Sequence, residues 1–191
     1  MSKIAEEMFA LQLGKRYKIP TVAMRYSIVQ GSRQSFYNAY SGACRIFCLA
    51  FHQGKEPQIY EDGNQVRDFV NIHDVVDANL LVLENERADY EMYNVGGGAP
   101  VTVNQFASAC AKVFGIENYL PKPCGKYRFG DTRHIWSDIS KLESLGWKPT
   151  RTIYDSISEY KEWLNTASSI DNIIEYCSKK MEELNVLRDI S

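Results

Sequence analysis

Two aspartates, Asp74 and Asp77, follow His73 in the run Asn71-Ile72-His73-Asp74-Val75-Val76-Asp77. Carboxylates beside an imidazole suit general acid–base work or a metal site. Their place at the head of an apolar run gives them a plainer duty. Asp74 is expected to cap the helix that follows, with Asp77 three residues on. His134 is a second isolated imidazole and reads as structural. Cys44 and Cys48 lie one helical turn apart, without a histidine or carboxylate at ligand spacing, so no metal centre is expected. The run Gly96-Gly97-Gly98 lacks the G-x-G-x-x-G phasing and the βαβ setting that cradle a pyrophosphate.

Five local patterns in one order say more. Ser2-Lys3 opens a stretch rich in Ala and Glu. Met24-Arg25-Tyr26-Ser27-Ile28-Val29-Gln30-Gly31 comes next. The third runs from Tyr60 to Asp74 and contains Asp62-Gly63-Asn64-Gln65-Val66-Arg67-Asp68-Phe69-Val70. Tyr93-Asn94-Val95 then leads into the three glycines. The last is Arg128-Phe129-Gly130-Asp131-Thr132-Arg133, followed by Ser137-Asp138-Ile139-Ser140-Lys141 and Leu145-Gly146-Trp147.

Hydrophobic periodicity supplies the elements that must position these residues. Residues 3–14 read as an amphipathic helix with Ile4, Met8 and Leu11 on one stripe, closed by Gly14-Lys15-Arg16. After Pro20, residues 21–29 read as one buried strand. That is an αβ unit of a parallel sheet, with no obvious set of partner strands after it. Residues 31–41 read as loop, 42–51 as a buried helix and 58–60 as a short strand before a turn at 61–64. A strand is expected at 67–72, a helix at 75–85 and a strand at 90–95. Thr102 or Asn104 caps a helix through about Phe114. Residues 130–137 look extended, Asp138 opens a short helix and 154–164 form another. Trp136, Trp147 and Trp163 are expected as core anchors. Beyond Asn165, the 4-3-4-3 spacing of Ile170, Ile174, Cys177, Met181 and Leu184 makes an amphipathic helix. It either docks on its own domain or serves self-association.

Composition excludes several classes. With 45% hydrophobic and 24% charged residues the chain is an ordinary globular sequence. A net charge of -2 gives no global attraction to nucleic acid or to an anionic membrane. No apolar run reaches membrane-spanning length. The first eighteen residues carry early acids and no apolar core, unlike a signal peptide. Five cysteines without a C-x-x-C pair suit reduced thiols and a cytoplasmic location.

Together the five patterns resemble the extended short-chain dehydrogenase/reductase family, among its NAD-dependent nucleotide-sugar epimerases and dehydratases. The likeness to the UDP-glucose and dTDP-L-rhamnose 4-epimerases runs from Ser2 to Leu164. It implies an α/β fold. Residues 1–31 would be the last helix and strand of a Rossmann-type, NAD-binding domain. Residues 32–164 would be a small mixed α/β domain for the nucleotide sugar, and 165–191 a C-terminal helix.

The resemblance also assigns roles. Lys3 matches the lysine of a Y-x-x-x-K pair, whose ammonium lowers the phenol's pKa and holds the nicotinamide ribose. The paired Tyr would stand ahead of Met1, as would the glycine-rich NAD turn. Tyr26 matches a position near the nicotinamide. Arg67 and Arg128 match arginines on the substrate diphosphate, whose oxygens suit the planar guanidinium fork. Asp131 matches an acid on the nucleotide ribose, and Tyr60 an aromatic beside the base. Ile28 and Gln30 depart from the pattern, standing where many relatives carry Asn and Tyr. Asn38 is the candidate to supply the lost amide.

In such enzymes NAD+ takes a hydride from the sugar C4, and the 4-keto sugar is re-reduced on its other face or loses water. This chain is expected to carry the half that holds a UDP- or dTDP-sugar, to bind no NAD by itself and to turn nothing over. A non-catalytic nucleotide-sugar module, a half-enzyme completed by a separate Rossmann chain and a structural remnant are the alternatives. A homodimer through the helix beginning at Lys3 is a further arrangement the resemblance leaves open.

Overall fold

A computed structural model of the chain describes residues 2–36, 42–167 and 173–190. Asn38 and Ile170 lie outside the described residues.

Helix α1 (Ser2–Tyr17) ends on Lys15 and Arg16, where cations suit the negative end of the helix dipole. Its expected apolar stripe is not buried. Of the three stripe residues only Leu11 is enclosed, while Ile4 and Met8 stand exposed. The helix is instead tethered by Arg25, which donates from Nε and Nη2 to both carboxylate oxygens of Glu7 at 2.6 Å.

Residues 21–29 do not form one buried strand. They split at Ser27 into β1 (Ala23–Tyr26) and β2 (Ile28–Gln30), and the outer half of β1 is exposed. The partner strands that sequence did not reveal are β3 (Val66–Asn71) and β4 (Met92–Val95). Strand β1 pairs parallel with β4, and β2 pairs parallel with β3. Ser27 makes the switch between them. Its N–H donates to Val95 O at 2.9 Å and its hydroxyl to Asp68 Oδ2 at 2.7 Å. Strand β5 (Pro100–Thr102) runs antiparallel to β3. Strands β6 (Lys126–Arg128) and β7 (Leu187–Asp189) form a separate antiparallel pair that periodicity did not predict. The strand expected at 58–60 is reduced to one bridge, Ile59 with Pro123.

Two apolar cores hold this frame. The larger joins α2 (Ala43–His52), α4 (Val103–Val113), α6 (Ile153–Thr166) and α7 (Ile173–Glu183) through Phe47, Phe106, Tyr160 and Ile173. The tail helix thus docks on its own chain, burying Ile173, Cys177 and Met181. The smaller core joins α3 (Ile72–Leu83) and α5 (Ser140–Glu143) with β4 around Val75, Val95, Leu142 and Trp147. Thr102 caps α4 and Thr152 caps α6, each with a reciprocal bond from the residue three positions on.

Two further expectations fail. Asn71, not Asp74, caps α3, its side chain accepting from the His73 N–H at 2.8 Å. Asp74 is buried and accepts from Thr150 N–H and Oγ1 and from Arg151 N–H and Nη1. Trp147 does anchor the core, donating to Asp74 O at 3.1 Å, and Trp163 stacks on Phe36 at 4.7 Å. Trp136 anchors nothing, being 62% exposed. Among the described residues no helix is long and apolar enough to cross a membrane.

Candidate functional site

Strand β3 sends Arg67 and β6 sends Arg128 into a cavity of about 610 Å³ shared with Tyr60, Gln65 and Asp131. Arg67 Nη2 lies 3.7 Å from Asp131 Oδ2, and Arg128 Nη1 lies 3.8 Å from the same oxygen. Two cations of distant sequence origin therefore flank one carboxylate, at ion-pair rather than hydrogen-bond distance. Burial pulls the Arg67 pKa down, and the nearby Asp131 and Glu61 carboxylates offset this. The guanidinium stays charged in any case, since arginine is not deprotonated in proteins. The surface pair Arg67–Asp68 that sequence alone allows is not formed. Asp68 turns inward and accepts from Ser27, Gly97 N–H and Ser137 N–H.

That inward turn explains the glycine run. The Gly97 N–H reaches Asp68 at 2.7 Å, and a Cβ on Gly97 would sit 1.9 Å from the Phe69 carbonyl oxygen. On Gly96 it would sit 2.2 Å from Asp68 Oδ2. The glycines let backbone approach backbone, as a structural turn does.

The segment carrying Asp131 is laced to β3. Arg67 Nη1 donates to Arg133 O at 2.9 Å, Ile135 N–H donates to Val66 O at 3.1 Å, and His134 Nδ1 accepts from Val66 N–H at 3.2 Å. Arg133 then reaches across to the turn after Tyr60, bonding Glu61 and Asp62 at 2.7 Å each. Its guanidinium holds the Asp62 carboxyl well below the usual carboxylate range. Arg133 lies within a motif quoted from the sequence, but pattern alone gave it no role.

Tyr60 stands at the cavity wall with its phenol pushed up to about 12 by burial, against the pull of Arg128. It is neutral at physiological pH and suited to packing, not to proton abstraction. Gln65 was not singled out by sequence. Its Nε2 donates to Tyr60 O at 3.0 Å, while its buried Oε1 has no hydrogen-bond partner among the described residues. Ile28 also lines this cavity, as an apolar surface.

The remaining candidates lie elsewhere. Lys3 is exposed and paired with Glu6. The Tyr26 hydroxyl donates to Asn79 Oδ1 at 2.8 Å. Neither lines the cavity, and Asn38 is outside the described residues. His73 bonds Glu159 at 3.1 Å. No group of three or more metal-ligating side chains occurs among the described residues.

Comparison with known proteins gives the family. Residues 1–96 match the family model described as NAD dependent epimerase/dehydratase family. The chain is 33% identical over 164 residues to dTDP-L-rhamnose 4-epimerase of Burkholderia thailandensis, covering 85% of this chain and 45% of that protein. It superposes on UDP-glucose 4-epimerase of Thermotoga maritima, solved with UDP-glucose, with a TM-score of 0.75 and 32% identity over 85% of this chain and 51% of that one. The UDP-glucuronic acid 4-epimerase of Bacillus cereus, solved with UDP-glucuronic acid and NAD, gives 0.70 and 26% over 85% and 50%. The chain spans about half the length of the relatives it matches.

Proposed function

The chain belongs to the NAD-dependent epimerase/dehydratase family, and on that premise we propose that its 191 residues hold the sugar-nucleotide side of a nucleotide-sugar epimerase or dehydratase. The observation that carries this reading is the convergence of Arg67 and Arg128 on one cavity with Asp131 between them. A diphosphate takes donors from the two planar guanidiniums, which match its oxygens in pairs. The ribose hydroxyls donate to Asp131. The base lies beside Tyr60. Either a UDP- or a dTDP-sugar satisfies this arrangement.

The residues present do not fit NAD. No G-x-G-x-x-G run occurs in the 191 residues, Lys3 is solvated against Glu6, and the Tyr26 hydroxyl is already committed to Asn79. The groups for hydride and proton transfer come, in this reading, from outside these residues or from a separate Rossmann-type chain. The exposed apolar side chains of α1, Met8 and Phe9 among them, favour such a partner or a second copy over a structural remnant.

Equilibrium dialysis against UDP-glucose, dTDP-glucose and NAD+, together with a 4-epimerase assay, tests the proposal. Binding of a nucleotide sugar without NAD+ binding or turnover is expected. Turnover by the purified chain refutes the division of labour, and absence of any nucleotide-sugar binding refutes the site.

A further inference from the structure

Helix α7 begins at Ile173, past the motifs that carry the family resemblance, and walls the cavity. Ile174, Cys177, Ser178 and Met181 fall at three- and four-residue spacing, so one helix face meets the cavity that Arg67 and Arg128 enter. That face carries no cation. A diphosphate needs donors and a sugar needs partners for its hydroxyls, whereas a nucleobase presents two apolar ring faces. Glu182 of α7 pairs with Lys126 at 3.1 Å, and the Lys126 carbonyl accepts from the Glu61 N–H at 2.8 Å, which sets α7 beside the segment that carries Tyr60. The tail also reaches the diphosphate end. Strand β7 pairs Leu187 with Arg128, Phe129 N–H donates to Val186 O at 2.8 Å, and the Arg188 guanidinium lies 3.8 Å from the Phe129 ring centre.

We propose that α7 is the base-facing wall of the nucleotide site, with Ile174, Cys177 and Met181 covering the ring that lies beside Tyr60, and that β7 fixes the strand carrying Arg128. This rests on the nucleotide-sugar reading above and deepens it: a segment past those motifs shapes recognition of the base. It assigns the tail a binding duty in place of a self-association one.

The test measures UDP affinity by calorimetry on the full chain and on two variants in the same helix. Ser178→Trp fills the cavity, and Lys179→Ala alters an exposed neighbour outside its lining. Ser178→Trp is expected to weaken UDP binding by about tenfold or more, a loss well within what one blocked contact surface removes, and Lys179→Ala by less than about twofold. A UDP analogue with a photoreactive azide on the base is expected to label residues 173–183. Unchanged affinity in Ser178→Trp, equal losses in both variants, or a label absent from α7 overturns the proposal. If Ser178→Trp fails to fold, the label decides. Failure of the unaltered chain to bind UDP is a different result, which overturns the nucleotide site itself and this wall with it.

Discussion

Arg67 and Arg128 carry the argument at the scale of single residues, because a diphosphate is recognised by paired donors and not by charge alone. Arg67→Ala should weaken binding of UDP or a UDP-sugar by about 1.5–3 kcal/mol, the range for a hydrogen bond to a charged group. Arg67→Lys should recover little, since an ammonium lacks the fork that also bonds Val66 O and Arg133 O. Calorimetric titration of both variants checks this, and full recovery by lysine would show that charge alone matters. Asp74 teaches the opposite lesson. From sequence, an acid ahead of an apolar run has the look of a cap, but Asn71 took that duty and Asp74 went inside. Its carboxylate collects four donors from residues 150 and 151, which no local pattern could announce. Asp74→Ala leaves the Thr150 and Arg151 backbone N–H groups without their acceptor and should lower stability by about 1–3 kcal/mol in urea unfolding. Arg67, Arg128 and Asp131 stand in motifs that sequence can pick out, whereas Arg133 acts through contacts about seventy residues back along the chain.

At the scale of elements, the long amphipathic helices were readable and the short strands were not. Helices α2, α4 and α6 repeat their apolar positions over ten or more residues, enough to set a period. Strands β2, β5, β6 and β7 have three residues each, and three residues contain no alternation to read. The break at Ser27 was hidden for a related reason. A run of apolar and β-branched residues looks continuous until a buried carboxylate, Asp68, captures the serine between its halves. The segment 131–135 lies alongside β3 without strand pairing, held by the Ile135 N–H on Val66 O and latched by Arg133 to Glu61 and Asp62. Because the folded pKa of Asp62 is depressed, its contribution to stability is present at neutral pH, above its unfolded pKa. It is lost as pH falls through the depressed folded value. Asp62→Asn should therefore be less stable than the unaltered chain at pH 7, and the gap should close in strong acid. Thermal melts across pH 2–8 measure it, and a gap that widens on acidification contradicts the latch.

For the whole molecule, the two cores differ in what covers them. The larger is enclosed by α2, α4, α6 and the tail helix α7, and α2 and α7 also line the cavity that Arg67 and Arg128 enter. The smaller stands behind β1 and β4, whose outer neighbour α1 buries only Leu11 and Gly14 of its sixteen residues. Ile4, Met8, Phe9 and Leu13 of α1, with Val76, Leu80 and Leu83 of α3, remain exposed. The sequence located α1 as a helix, but of the stripe expected to face inward only Leu11 is enclosed, because what a helix packs against is a long-range property. The chain spans about half the length of the relatives it matches, and exposed apolar side chains in this number give an apolar probe a surface to bind. An environment-sensitive apolar dye such as ANS should therefore bind the natively folded chain. Phe9→Glu, which places a charge on a residue 67% exposed, should reduce that fluorescence without lowering the melting temperature. It should leave UDP affinity unchanged, because α1 contributes nothing to the cavity lining. Dye binding that persists undiminished in Phe9→Glu would place the exposed apolar surface somewhere other than α1.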